Sequence, residues 1–120
     1  MTAAGELGKR GETWARDYFL KHHYEILEQN WTFDRAELDL IVYQDQTLIF
    51  VEVKTRSGVA FGTPEEFVDA AKQKHLQRAA EEYIRLMNHQ GEVRFDICAI
   101  LVDEAQNPTI KHIIDAFWPE

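Results

Sequence analysis

The chain has 120 residues, 45% hydrophobic and 28% charged, which fits one globular domain, residues 1–120, with its own core. Its net charge of −8, from 21 acids against 13 bases, argues against strong nonspecific DNA binding, which is driven by neutralising phosphates. The single cysteine excludes an internal disulfide and a cysteine-cluster metal site, and no apolar run is long enough to cross a bilayer.

In chain order, residues 5–22 carry Leu7, Trp14, Ala15, Tyr18 and Phe19 at helical spacing. Glu12 falls on the strip of Gly8, Ala15 and Phe19, where small residues would let this helix approach a sheet. By itself it reads as a surface carboxylate. The opening Met-Thr-Ala-Ala-Gly-Glu lacks the basic-then-apolar layout of a signal peptide, and the expected location is the cytoplasm. Tyr24 to Trp31 is a short strand candidate.

Next comes "AELDLIVYQDQTLIFVEVKTR", two runs of Leu, Ile, Val and Phe joined by Gln44-Asp45-Gln46, which predicts a β-hairpin. A turn centred between Asp45 and Gln46 pairs Tyr43 with Leu48, Ile41 with Phe50 and Asp39 with Glu52. Alternation puts these six on one face, with Lys54 two residues beyond Glu52. The opposite face is Leu38, Leu40 and Val42 against Ile49, Val51 and Val53, so both faces are expected to be buried. Asp39, Glu52 and Lys54 are therefore charges inside apolar runs. Directly opposed side chains have Cβ atoms about 4.5–5.5 Å apart, and like charges there are destabilising. Two such carboxylates need a shared proton or a cation between them. Lys54 offers one positive charge, and a hard divalent ion such as Mg²⁺ would offer two. The plainer alternative is a solvated Asp–Lys–Glu cluster at a strand end.

Thr63 as N-cap, Pro64 at the first position and Glu65-Glu66 in the first turn predict a second helix, running to about Asn88 and ended by Gly91. On its wheel, at 100° per residue, Val68, Leu76, Ala79, Tyr83 and Leu86 form the apolar stripe. Lys72 lies in the middle of that stripe, while Lys74 and Arg78 point away from it. Lys72 either snorkels along the core or reaches an anionic ligand, and the spacing leaves both open. Val93 to Val102 is strongly strand-like and includes Cys98, read as a small buried residue. Asn107-Pro108 marks a turn before a weaker strand, "TIKHIIDAF". The five histidines, His22, His23, His75, His89 and His112, show no paired ligand spacing and read as surface residues. The order α-β-β-β-α-β-β predicts a three-layer α/β/α fold with a mixed sheet of about five strands.

An acid on one strand followed by Glu-x-Lys on the next is the core signature of the PD-(D/E)XK nucleases, which have the restriction-endonuclease-like fold. Together "GELGKRGETWARDYF", the hairpin, "FGTPEEFVDAAKQKHLQRAAEEYI" and "RFDICAI" resemble the bacterial YraN-like family, itself similar to archaeal Holliday-junction resolvases. The resemblance spans about Gly5 to Phe117. It implies that Asp39 and Glu52 are metal-binding acids, that Lys54 is the catalytic lysine, and that Glu12 joins the metal site. It also moves Lys72 toward a functional role. Glu37, in the family's "GEIDLI" stretch, is expected on the other face and so in a supporting place. Ala36 departs from the usual glycine without touching the acids.

The implied mechanism uses Mg²⁺ or Mn²⁺ held by Asp39 and Glu52 with Glu12 and the Val53 carbonyl, and Lys54 orients water or stabilises developing charge. Arg56, Lys72, Lys74 and Arg78 are the expected phosphate contacts. The net charge does not exclude such an enzyme, because only the local field must be positive. The expected partner is DNA, with a two-fold homodimer if the substrate is a junction, and Phe117 and Trp118 are candidates for its surface. The alternatives are a nucleic-acid-binding module without turnover and a scaffold on a nuclease fold.

Overall fold

Asp45 and Gln46 both adopt left-handed backbone angles, φ 51° and 63°. This is the two-residue turn whose twist matches a right-handed strand pair. It sets the register of the central hairpin: Tyr43 faces Leu48, Ile41 faces Phe50 and Leu40 faces Val51, as the sequence predicts. A computed structural model describes residues 2–58, 60–63 and 67–118. Its elements are α1 (Ala3–Lys21), β1 (Glu25–Phe33), β2 (Ala36–Gln44), β3 (Thr47–Ser57), α2 (Ala70–Met87), β4 (Glu92–Val102) and β5 (Pro108–Ile113). The five strands lie in chain order across one sheet. Only the β3–β4 pair is parallel, and α2 is the crossover that it requires.

The helices cover opposite faces, giving the expected three-layer α/β architecture. On one face Ala15 and Phe19 of α1 bury Leu40, Val42, Ile49, Val51, Cys98 and Ile100. On the other, Leu76, Ala79, Ala80 and Tyr83 of α2 bury Leu38, Ile41, Phe50, Phe95 and Ile97. Each fully buried large side chain contributes about 1.5–3 kcal/mol. Cys98 is buried, and burial followed by the charge of Asp96 pushes its thiol up to about 12, as suits a core residue.

Several expectations are corrected. Thr63 does not cap α2: the helix starts at Ala70, where the Asp69 carboxylate accepts from Lys72 N–H at 2.8 Å. Pro64, Glu65 and Glu66 lie outside the described residues. Leu86 is 57% exposed, because the buried stripe of α2 ends at Tyr83. The close approach of α1 occurs at Gly11 and not Gly8: a Cβ on Gly11 would lie 1.7 Å from Thr55 Oγ1, whereas one on Gly8 would meet nothing within 4 Å. Phe117 packs against Phe95 with ring centroids 5.2 Å apart, so it is partly core, and only Trp118 is well exposed. His22, His23 and His75 are on the surface as expected, but His112 is not. Its side chain is 6% exposed and its Nε2 lies 2.7 Å from Asp96 Oδ2.

Asp96 is fully buried and was not singled out from the sequence. Arg94 donates to both its oxygens at 2.8 and 2.9 Å, and Asp115 N–H donates at 3.0 Å. Tyr18 Oη, on α1, meets the other nitrogen of His112 at 3.1 Å. Burial alone would raise the Asp96 pKa, yet the bonds from His112 and Arg94 outweigh it and hold the carboxyl below its usual range. This network ties α1, β4, β5 and the turn after β5 together. No helix among the described residues is long and apolar enough to cross a membrane.

Candidate functional site

The alternation of β2 breaks at Asp39. Ala36 and Leu38 pack on the α2 side with Ile41, while Leu40 and Val42 pack on the α1 side. Opposite the break, Asn30 of β1 takes a left-handed φ of 53°. The β2–β3 pairing stops at Leu40 and Val51, so Asp39 and Glu52 are not a regular cross-strand pair. Instead the Asp39 carboxylate enters the gap between the strands, where its Oδ2 accepts from the Val53 N–H at 2.8 Å. A side chain has replaced the ladder bond that a backbone carbonyl would make.

Glu37 lies beside Asp39 and not on the other face expected for it. Glu12, Glu37 and Asp39 each offer a carboxylate oxygen, all within 4.8 Å of one another. Asn30, in the orientation that satisfies its neighbours, donates to Glu37 Oε1 and Glu12 Oε2, each at 3.0 Å. Residues two apart on a strand share a face, so Glu37 follows Asp39 by alternation alone, and the break changes only how Leu40 and Ile41 lie relative to them. A strand irregularity is invisible to period-two counting, and the asparagine opposite was its one local signal.

Glu52 is only 7% exposed and accepts from Lys72 Nζ at 2.8 Å. The lysine that offsets Glu52 is therefore Lys72 of α2. Lys54 is half-buried two residues farther along, and its ammonium makes no ion pair or hydrogen bond among the described residues. Arg35, Ala36, Glu37, Asp39, Glu52, Lys72, His75 and Leu76 line an open cleft of about 420 Å³. Arg35 and His75 were not anticipated, although Arg35 sits in the β1–β2 turn and His75 one helical turn beyond Lys72. The remaining expected phosphate contacts are not among the residues that line the cleft. The Arg56 guanidinium lies over the Phe67 ring at 5.1 Å, Arg78 pairs with Asp34 at 3.1 Å, and Lys74 is exposed.

The electrostatics are those of excess negative charge. Burial, then the charge of Glu52, push the Asp39 carboxyl up to about 8, and the bond from Val53 does not offset them. Burial likewise raises Glu12; the Asn30 bond opposes this, and the charges of Glu37 and Glu52 add to the rise. For Lys72, burial would favour the neutral amine, but the bond and charge of Glu52 outweigh it and raise its pKa. Hard oxygen donors from α1, β2 and β3, with more negative charge than Lys72 offsets, suit a hard divalent cation such as Mg²⁺ or Mn²⁺ and not a soft one.

Residues 11–100, which include Glu12, Asp39, Glu52, Lys54 and Lys72, match the family described as "Uncharacterised protein family UPF0102". A UPF0102 protein of Flavobacterium psychrophilum is 42% identical over 118 residues, covering 98% of both chains. One of Bacteroides thetaiotaomicron is 43% identical over 119 residues, 99% of this chain and 98% of the relative. One of Rhodococcus opacus is 41% identical over 112 residues, 92% and 95% of the two chains. Full-length similarity at this identity leaves one conclusion: the chain belongs to the UPF0102 family, the YraN-like family that its motifs resemble.

Proposed function

We propose that this chain is a divalent-metal-dependent nuclease that hydrolyses phosphodiester bonds in structured or branched DNA, on a fold akin to the restriction endonucleases and junction resolvases. The observation that carries the proposal is the Asp39 carboxylate, turned into the gap between β2 and β3 beside Glu52, with its pKa pushed up to about 8 by burial and by the charge of Glu52. Asp39 and Glu52 would hold Mg²⁺ or Mn²⁺, with Glu12, Glu37 and the Val53 carbonyl completing the oxygen set. When bound, such an ion supplies Lewis-acid polarisation of the phosphate and a more acidic water.

The chain's own residues do the rest. The Val53 N–H fixes the Asp39 carboxylate, so the site is oriented before ligand arrives. Lys54 orients the attacking water or stabilises the charge that builds on the phosphate. Lys72 and Arg35 face the cleft and hold phosphate oxygens, while Arg56, Lys74 and Arg78 make backbone contacts beyond it. With a net charge of −8 on the chain, a bound divalent ion would supply the positive charge that a phosphate needs at these carboxylates.

The test is cleavage of a labelled four-way junction, flap, linear duplex and single strand with Mg²⁺, Mn²⁺ or EDTA, by wild type and Glu52→Gln. The proposal predicts metal-dependent cutting that falls at least ~10²-fold in the variant, and the preferred substrate names the class. No cutting, or equal cutting by the variant, overturns it. One observation favours a binding module without turnover: Lys72 already pairs with Glu52, and Lys54 pairs with neither acid among the described residues. DNA affinity that survives in Glu52→Gln, with no cleavage under any ion, selects that reading.

A further inference from the structure

The Lys72–Glu52 pair joins a half-exposed side chain to a buried one. The Lys72 side chain is 43% exposed and Glu52 only 7%, with 2.8 Å between Nζ and Oε1. The ammonium rests on one oxygen of a carboxylate that also lies against Asp39. A +1 group thus sits where an oxygen-liganded cation would bind, yet leaves the local negative charge under-compensated. A divalent ion contacting Glu52 competes with that ammonium for the same lone pairs. A displaced lysine on a flexible four-carbon stem swings into the cleft that it already lines, beside Arg35 and His75.

Resting on the proposed metal-dependent reading, we infer that Lys72 is an internal stand-in for the divalent ion. Bound to Glu52 it occupies the acidic site, and ion binding transfers its ammonium from Glu52 to a phosphate oxygen of the nucleic acid. Lys72 is then a positioning residue that couples two ligands. The ion frees the lysine for the phosphate, and the phosphate, by holding the lysine, leaves Glu52 to the ion. By linkage each ligand strengthens the other by the same factor. The arrangement disfavours DNA binding by the metal-free protein.

The coupling predicts effects of opposite sign from one substitution, which a purely structural lysine would not produce. Calorimetric titration of Mn²⁺ alone into Lys72→Met should show ion affinity raised about tenfold or more, since a charge-assisted bond to Glu52 no longer has to be broken. Lys72→Arg, which keeps the cation, should stay near wild type. Lys21→Met, at the far end of α1, should change ion affinity less than about twofold, separating displacement from loss of general positive charge. Anisotropy with a labelled DNA duplex at matched ionic strength completes the test. Wild type should bind more tightly with Mg²⁺ than with EDTA, and Lys72→Met should lose that gain. Thermal melts of each variant confirm that it is folded.

Wild type that binds Mn²⁺ while Lys72→Met binds it no more tightly overturns the exchange and leaves the metal site standing. Equal gains in Lys72→Met and Lys21→Met overturn it in favour of bulk electrostatics. Wild type that binds no ion removes the metal-dependent reading and this inference together.

Discussion

Asp39 carries a pH signature that follows from its position. Its folded-state pKa of about 8 lies above the ordinary 3.8, so between those values the native state holds a proton that the unfolded chain has released. Stability therefore falls as pH rises through that window. Asp39→Asn should flatten this part of the stability profile and make the protein more heat-stable near pH 8, as measured by melts from pH 4 to 9. A wild-type profile that rises across the window would contradict the buried, under-compensated carboxylate. Asp96 has the opposite sign: its pKa is lowered, so its contribution is present above the ordinary carboxylate range and is lost in acid. Removing it takes from Arg94 and His112 the buried carboxylate that both of them contact. Asp96→Ala should cost about 3–5 kcal/mol by denaturant unfolding.

Elements place these residues, and α1 meets β3 closely at Gly11. Thr55 of β3 lies directly beneath Gly11, one residue before Glu12. Gly11→Ala forces the helix away from the strand, with an expected cost of about 1–3 kcal/mol. It should also weaken divalent binding by withdrawing Glu12. A melt and an ion titration of the same variant check both, and unchanged stability would contradict the close packing. The central hairpin was legible in the sequence because a two-residue turn and strict alternation leave one register. The break at Asp39 was not legible. Its cause is a side chain taking a backbone bond across diverging strands, and no residue spacing encodes that. Asp39 and Glu52 stood out as charges inside apolar runs, and Glu12 entered only through the family resemblance. Glu37 was set on the other face although it is two residues from Asp39. Lys72, and not Lys54, makes the ion pair with Glu52. The helix wheel had put Lys72 on the buried stripe but could not say which strand residue it would meet. The start of α2 was misjudged for a related reason: Thr63-Pro64 is a strong local helix opening, but the buried Phe67 and Val68 precede the helix and Asp69 caps it.

At the scale of the whole molecule, two helices seal both faces of the sheet, and the acids meet where the central strands part. The residues that meet there come from α1, β2, β3 and α2, so an ion held by them would brace most of the fold. Any ligand that binds only the native state stabilises by mass action, about 2.7 kcal/mol at a hundredfold excess over Kd. For a domain of this size that is roughly a 6–15 °C rise in Tm. Mg²⁺ or Mn²⁺, but not matched monovalent salt, should produce such a rise in wild type and much less of it in Glu52→Gln. The Asp96–Arg94–His112 network stands apart from that effect: it was missed in the sequence because Arg94, Asp96 and His112 lie on two strands whose pairing had to be known first.

The most direct measurement is anomalous diffraction from a crystal of the protein soaked in Mn²⁺. The account predicts a strong anomalous peak between Asp39 and Glu52, with the Lys72 ammonium moved off Glu52 and turned into the cleft. A crystal with no peak at these carboxylates, or with Lys72 still paired to Glu52 and manganese bound elsewhere, would contradict it.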